Sequence, residues 1–413
     1  MNCSLKYGRK ELQISLDSSI TPDFIERESE TGGKENGLNV IERAMRGAGL
    51  QLKDFVLSAD SVAVIVSDQT RPTGSEVYLN VILDEIKAAG ITDITVILAQ
   101  GLHRPATAAE IEKIFGGKVP AGVRVINHDA KSGLKESCGA FFREEAVDAD
   151  RVIVTGAVTF HPMVGFSGGR KSLLPGIASG DDIRKNHRLY FKNKNHNPVC
   201  GPGLIINNPV RDDLTARTTG FTKLWALNVV LGESKEIVFA SCGDVDEVWS
   251  ECVKYVSAGF SIGLDDKYDT VIASAGGYPS DFSFYQSMKV LTNSSKACRE
   301  SGRLIILSEC SNGWEIDPEM LKLFSLSLPE VADRLIADFR MDVLGMYMAM
   351  SIISKFDVWL YSALPRVEVE PAGIHYIDDI SMIEKLARDG RTAVIKNGSS
   401  ILPISSEQRK ELL

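Results

Sequence analysis

Two histidines and a lysine crowd the stretch from His161 to His187, where Gly165, Gly168 and Gly169 precede Arg170-Lys171. Imidazole is the usual general acid or base near neutral pH. His161 lies just past the β-branched run Arg151 to Thr155, which reads as a buried strand, so it stands where the chain leaves a sheet. His103, between Gly101 and Arg104-Pro105, stands at the end of another predicted strand. Two bases offered by separate strand tips can face each other across one carbon, as a racemase or epimerase requires. His187 sits inside a helix that Ser179 and Asp182 announce as a capped start. It is a candidate metal ligand, though a plain structural histidine fits the sequence equally well. Asp68, Thr70 and Arg71 form a polar cluster before Pro72, and the forked guanidinium of Arg71 suits a carboxylate; a capping Asp or Thr beside a surface Arg is the plainer reading. Tyr285, Gln286 and Lys289 lie near a helix start, with Gln286 and Lys289 on one face.

The glycine turn invites a second chemistry. Backbone N–H groups before a lysine can cradle an anion. The nucleotide P-loop needs glycine immediately before its lysine, and Arg170 occupies that position. Phosphate binding without ATP hydrolysis therefore stays open.

These residues must be positioned by a scaffold, and apolar strands alternating with amphipathic helices supply one. Strands are expected over 61–66, 94–99, 123–127 and 151–155, with helices over 74–89 and 108–115 between them; this order implies a parallel sheet covered on both faces. Ligands bind beyond the carboxyl ends of such strands, where Asp68, His103 and His161 all fall. A hairpin is expected over 3–16, then a polar stretch to Asn36, and a long surface connection after Phe191. Strand 270–274 restarts the pattern with a helix over 284–300, strands over 303–308, 358–361 and 392–396, and a helix over 381–388. The expectation is two Rossmann-like α/β domains with the active site in the cleft between them: 1–262 carrying the cofactor and the catalytic histidines, 266–402 contributing substrate-binding residues, and a tail over 403–413 packing back on the first.

At 413 residues the chain exceeds what a single core usually supports, which also favours two domains. A balance of 46 basic against 55 acidic residues argues against a nucleic-acid or anionic-membrane surface, and no apolar run would span a bilayer. The N-terminus lacks a signal-peptide core, so a cytoplasmic location is expected. Seven scattered cysteines without a Cys-x-x-Cys pair fit reduced thiols.

Asp68-Gln-Thr70-Arg71-Pro, Gly101-Leu-His103-Arg-Pro, the segment His161 to His187 and Tyr285-Gln286-Ser-Met-Lys289 together resemble the nickel-dependent lactate racemase family. The most specific part is the spacing of ten residues from His161 to Lys171 and sixteen from Lys171 to His187. The resemblance implies a 2-hydroxy-acid racemase or epimerase with a nickel-pincer nucleotide (pyridinium-3-thioamide-5-thiocarboxylic acid mononucleotide). Lys171 would hold the cofactor covalently, His187 would ligate nickel, and Asp68, Thr70, Gly168 and Gly169 would lie beside it. His103 and His161 would be the acid/base pair, and Arg71, Tyr285, Gln286 and Lys289 would bind substrate. Cofactor-synthesis enzymes would be its partners. Thr159-Phe160 stand where many members have Glu-Pro, which leaves lactate one candidate among malate, longer or aromatic 2-hydroxy acids and sugar acids. The competing readings are a phosphate- or nucleotide-binding transferase using the glycine loop, and a non-catalytic cofactor-binding protein.

Overall fold

The computed structural model describes residues 2–27, 35–387 and 390–412. Part of the expected polar stretch before Asn36, and the expected helix end at 388, lie outside the described residues. Two compact units emerge: one of Thr31–Tyr190 with His196–Val256, the other of Met1–Glu30, Phe191–Asn195 and Ser257–Leu413.

The unit that carries His103, His161 and His187 is built on a six-stranded sheet in the order Ile237–Gly243, Leu224–Leu231, Arg151–Ala157, Ser61–Ser67, Asp93–Ala99, Val123–Asn127. The last five run parallel and Ile237–Gly243 is an antiparallel edge. Side chains of a strand point alternately to its two faces. Val62, Val64 and Val66 enter one core, with helix Ser75–Ala88 contributing Tyr78, Leu79 and Ile82. Ala63 and Ile65 enter the other, against Leu173, Leu174 and Ile177. Both faces are dry, which is why these strands read as unbroken apolar runs.

Chain direction makes the site. From Ser61–Ser67 the chain moves outward to Asp93–Ala99 and then Val123–Asn127; from its neighbour Arg151–Ala157 it moves the other way to Leu224–Leu231. The strand order thus reverses between Ser61–Ser67 and Arg151–Ala157, and a crevice opens beyond their carboxyl ends.

The other unit holds a fully parallel sheet, ordered His375–Tyr376, Asp357–Tyr361, Cys298–Leu307, Tyr268–Ser274, Thr392–Ile395, Asp23–Ile25. Its final strand corrects the expected domain division. Asp23–Ile25 pairs with Thr392–Ile395, and the hairpin Asn2–Tyr7/Lys10–Ser15 buries Leu5, Tyr7 and Ile14 against Ile272, Ile305 and Val394. Residues 2–27 therefore belong in one unit with Ser257–Leu413 and not with the unit of the Asp68–His103 pair. The tail is corrected too. Leu402–Ser405 pairs with Ser261–Leu264 and helix Ser406–Leu412 packs on both, Ser406 donating to Asp265 at 2.7 Å, so it stays in its own unit.

Two further expectations shift. The connection after Phe191 contains helix Pro209–Arg217, whose Asn208 side chain caps Val210 and Arg211 N–H. The helix from Phe284 ends at Ser294 rather than 300, because Cys298 already begins the strand that pairs with Tyr268. Strand pairing outweighs the helical periodicity there.

Candidate active site

The first strand end presents Asp68, buried directly after Ser67. Its Oδ1 accepts from the Thr70 N–H at 3.1 Å and the Thr70 hydroxyl at 2.7 Å, and its Oδ2 lies 2.7 Å from His103 Nδ1. Thr70 Oγ1 is also 3.2 Å from that nitrogen. The buried carboxylate thus orients a half-exposed imidazole brought by the neighbouring strand, with 37% of its side chain open to solvent. Tertiary structure brings these residues together across a sequence gap of 35. Arg71 is exposed, and no carboxylate among the described residues lies within ion-pair distance of it.

Beyond Arg151–Ala157 the chain forms a short ribbon, Phe160–His161 against Gly165–Phe166. His161 sits on it, half-buried, with Nδ1 accepting from Met163 N–H at 3.2 Å and Val164 N–H at 3.4 Å. Lys171 follows in a 3-10 turn, Gly169–Ser172. Burial, then the nearby positive charge of Arg71, pulls its amine down to about 7. His187 lies in helix Gly180–Arg188, started by the expected Ser179 cap on the Asp182 N–H. Burial is the main cause that pushes its imidazole down to about 3, the charges of Lys171 and Arg71 adding to it, while a hydrogen bond to the Ile183 carbonyl acts the other way. Lys171, His187 and Arg71 are therefore close enough to feel one another's charge.

The glycine turn works differently from an anion cradle. Gly169 N–H donates to Asn228 Oδ1 at 2.8 Å and Lys171 N–H to the Gly168 carbonyl at 3.2 Å, so these two donors are already used. A Cβ on Gly168 would stand 2.5 Å from Val158 Cγ2, and one on Gly169 2.8 Å from Trp249 Cδ1. Packing against protein thus accounts for both glycines. Arg170 also faces protein, paired with Asp246 at 2.8 Å and bonded to the Thr218 carbonyl at 3.0 Å.

Asn228 escaped the sequence reading. It is wholly buried in strand Leu224–Leu231 and holds the turn carrying Lys171. A lone amide inside Leu-Trp-Ala-Leu-Asn-Val-Val-Leu was the available signal, because a buried polar group needs a partner.

In the other unit, Ser283 caps helix Phe284–Ser294 through the Gln286 N–H. Gln286 and Lys289 are exposed and Tyr285 is half-buried, its ring 3.0 Å from where a Cβ on Gly345 would lie. The remaining histidines have structural partners: His128 bonds the Ala178 carbonyl at 2.9 Å, His196 the Cys200 carbonyl at 2.7 Å, and His375 stacks on Trp359 at 4.6 Å. Among the described residues no group of three or more His, Cys, Asp or Glu side chains could hold a metal.

Residues 7–198 match the model of the lactate racemase N-terminal domain and residues 265–325 that of the lactate racemase C-terminal domain. The chain is 31% identical over 326 residues to a lactate racemase of Thermoanaerobacterium thermosaccharolyticum, covering 76% of this chain and 75% of that one. The chain belongs to the lactate racemase family. Its identity to the lactate racemase of Lactiplantibacillus plantarum is 29% over 272 residues, 64% of this chain and 63% of the relative. The lactate racemase apoprotein structure from T. thermosaccharolyticum superimposes with a TM-score of 0.88 at 26% identity, covering 98% of this chain and all of that one. A Thermotoga maritima protein shares the fold, with a TM-score of 0.61 at 17% identity over 86% of this chain. This member of the lactate racemase family thus has the mixed α/β architecture with parallel sheets expected from its sequence. No helix among the described residues is long and apolar enough to cross a membrane.

Proposed function

We propose that this protein is a 2-hydroxy-acid racemase, with lactate the first substrate to test, working with a nickel-pincer nucleotide tethered to Lys171. The observation that supports this most is the Asp68–His103 pair at 2.7 Å, placed at the strand-order reversal of the unit that also carries Lys171 and His187.

The chain's own groups suit the cofactor. An amine pulled to about 7 is uncharged in a large fraction of molecules near neutrality, as a covalent link through nitrogen demands. A buried imidazole held neutral keeps a lone pair for a metal. Since no cluster of three protein ligands exists among the described residues, a metal on His187 would take its other donors from the cofactor. When bound, the nickel-pincer nucleotide supplies the acceptor and donor of the C2 hydride.

Arg71 holds the substrate carboxylate in its guanidinium fork, and Tyr285, Gln286 and Lys289 are further proposed substrate-binding residues. His103 takes the hydroxyl proton at Nε2, and Asp68 stabilises the imidazolium that results. A planar 2-keto acid is left, and His161 serves proton exchange on its opposite face. Each acid/base contributes about 10²–10⁴-fold, so His103→Ala and His161→Ala should each lower turnover by that order.

The test is co-expression with the cofactor-making enzymes, then intact mass, nickel analysis and chiral analysis over lactate, malate, longer, aromatic and sugar 2-hydroxy acids. An adduct lost in Lys171→Ala, together with bound nickel and inversion at C2, supports the proposal. Protein with neither adduct nor nickel sinks the cofactor assignment, and full activity in both histidine variants sinks theirs.

A further inference from the structure

We infer that the two histidines are unequal at rest: His103 is held as a proton acceptor toward the crevice and His161 as a hydrogen-bond donor. This rests on the racemase reading for its functional meaning, but the asymmetry itself follows from the partners of the two rings.

Asp68 is 1% exposed and its carboxylate can only accept. Its Oδ1 is engaged by both donors of Thr70, at 3.1 and 2.7 Å, and its Oδ2 faces His103 Nδ1 at 2.7 Å. That ring nitrogen must therefore carry the hydrogen. A neutral His103 then has its lone pair on Nε2, and a proton gained there makes an imidazolium beside a buried negative charge.

His161 is held by the opposite kind of partner. Met163 and Val164 N–H groups point at its Nδ1 from 3.2 and 3.4 Å, and an amide N–H can only donate. Nδ1 must keep its lone pair, so the hydrogen of the neutral ring is on Nε2. Moving it to Nδ1 would set one N–H against two others. The turn that aims these amides is well fixed. Pro162 contributes no N–H, the flanking residues pair as His161 with Gly165, Met163 and Val164 are buried, and Asn208 Nδ2 donates to the Met163 carbonyl at 2.8 Å.

The two faces of the substrate thus meet different chemistry. A 2-hydroxy acid whose hydroxyl reaches His103 finds a ready acceptor at Nε2. The opposite enantiomer reaches a ring nitrogen that already carries hydrogen, and its proton loss waits until the His161 ring turns or its amides let go. Enantiomers have equal free energy, so kcat/KM must agree in the two directions. The inequality therefore appears in kcat and KM separately.

The closing experiment is two-bond ¹H–¹⁵N spectroscopy of the full-length apoprotein carrying ¹⁵N-histidine, at mildly alkaline pH, with His103→Gln and His161→Gln assigning the signals. The expected result is a protonated Nδ1 and bare Nε2 for His103 and the reverse for His161. Asp68→Asn should shift the His103 signals away from the protonated-Nδ1 pattern and leave those of His161 unmoved. Identical tautomers in the two rings, or a protonated Nδ1 in His161, overturn the inference. If Asp68→Asn does not fold, the wild-type spectrum still decides. The spectra need no cofactor, so lack of racemisation defeats the functional reading and leaves the tautomer result standing. Racemisation by protein with identical tautomers does the converse.

Discussion

Asn228 and Lys171 show how single side chains set up this site. Asn228 is the acceptor for Gly169 N–H, and Asn228→Leu would leave that buried donor without its bond, at a cost of about 1–3 kcal/mol. The expected outcome is a lower unfolding midpoint together with slower adduct formation on Lys171, read by denaturant titration and intact mass. Normal midpoint and normal loading would remove Asn228 from the positioning role. Lys171 gives a pH signature. Its amine lies near 7 in the folded protein against an ordinary value of 10.5, so across that interval the unfolded chain binds the proton more tightly. Apoprotein stability then rises with pH from about 7 toward 10.5 through this group, and the destabilisation is fully present below about 7. His187 acts with the same sign lower down, between about 3 and 6.5. Lys171→Met should raise apoprotein stability on the acidic side and flatten the slope above neutrality; urea midpoints at a series of pH values check this, and a parallel, undiminished slope would contradict it.

At the scale of elements, the glycine turn carries Lys171 and the helix Gly180–Arg188 carries His187. Gly169 has φ +56°, and an added Cβ would press on Trp249 from 2.8 Å, so Gly169→Ala combines backbone strain with a steric clash. A loss of about 1–3 kcal/mol is expected for the strained conformation alone, measurable as a fall in thermal midpoint. Ser179→Ala removes the cap of the helix bearing His187 and should cost about 1 kcal/mol. Because that helix positions the proposed nickel ligand, the same variant should also bind less nickel after loading. Retained nickel with lowered stability would separate the cap's structural contribution from ligand placement.

At the scale of the whole molecule, the segment 2–27 completes the sheet of the other unit rather than opening the one that carries His103 and His161. Deleting residues 1–27 would uncover the edge Thr392–Ile395 and the apolar surface of Ile272, Ile305 and Val394. Each fully buried aliphatic side chain is worth about 1.5–3 kcal/mol, and Leu5, Ile14 and Ile25 would all be lost with the deletion. Such a chain should aggregate or unfold at a clearly lower temperature by circular dichroism; a wild-type transition would refute this placement of the strand.

Local signals made much of this legible. Unbroken apolar runs marked strands buried on both faces, Ser179 with Asp182 marked a helix start, and the spacing of His161, Lys171 and His187 carried the family resemblance. Those features depend on neighbours a few residues away, which the sequence holds directly. What depended on distant partners had to wait for tertiary structure. The attachment of Asp23–Ile25 is a pairing across the length of the chain, and the Gly168-Gly169 turn owes its form to Asn228 and Trp249. His103 and His161 look alike as letters and as strand-end positions. Only folding gives one ring a carboxylate and the other two amide donors, and with them opposite places for the proton.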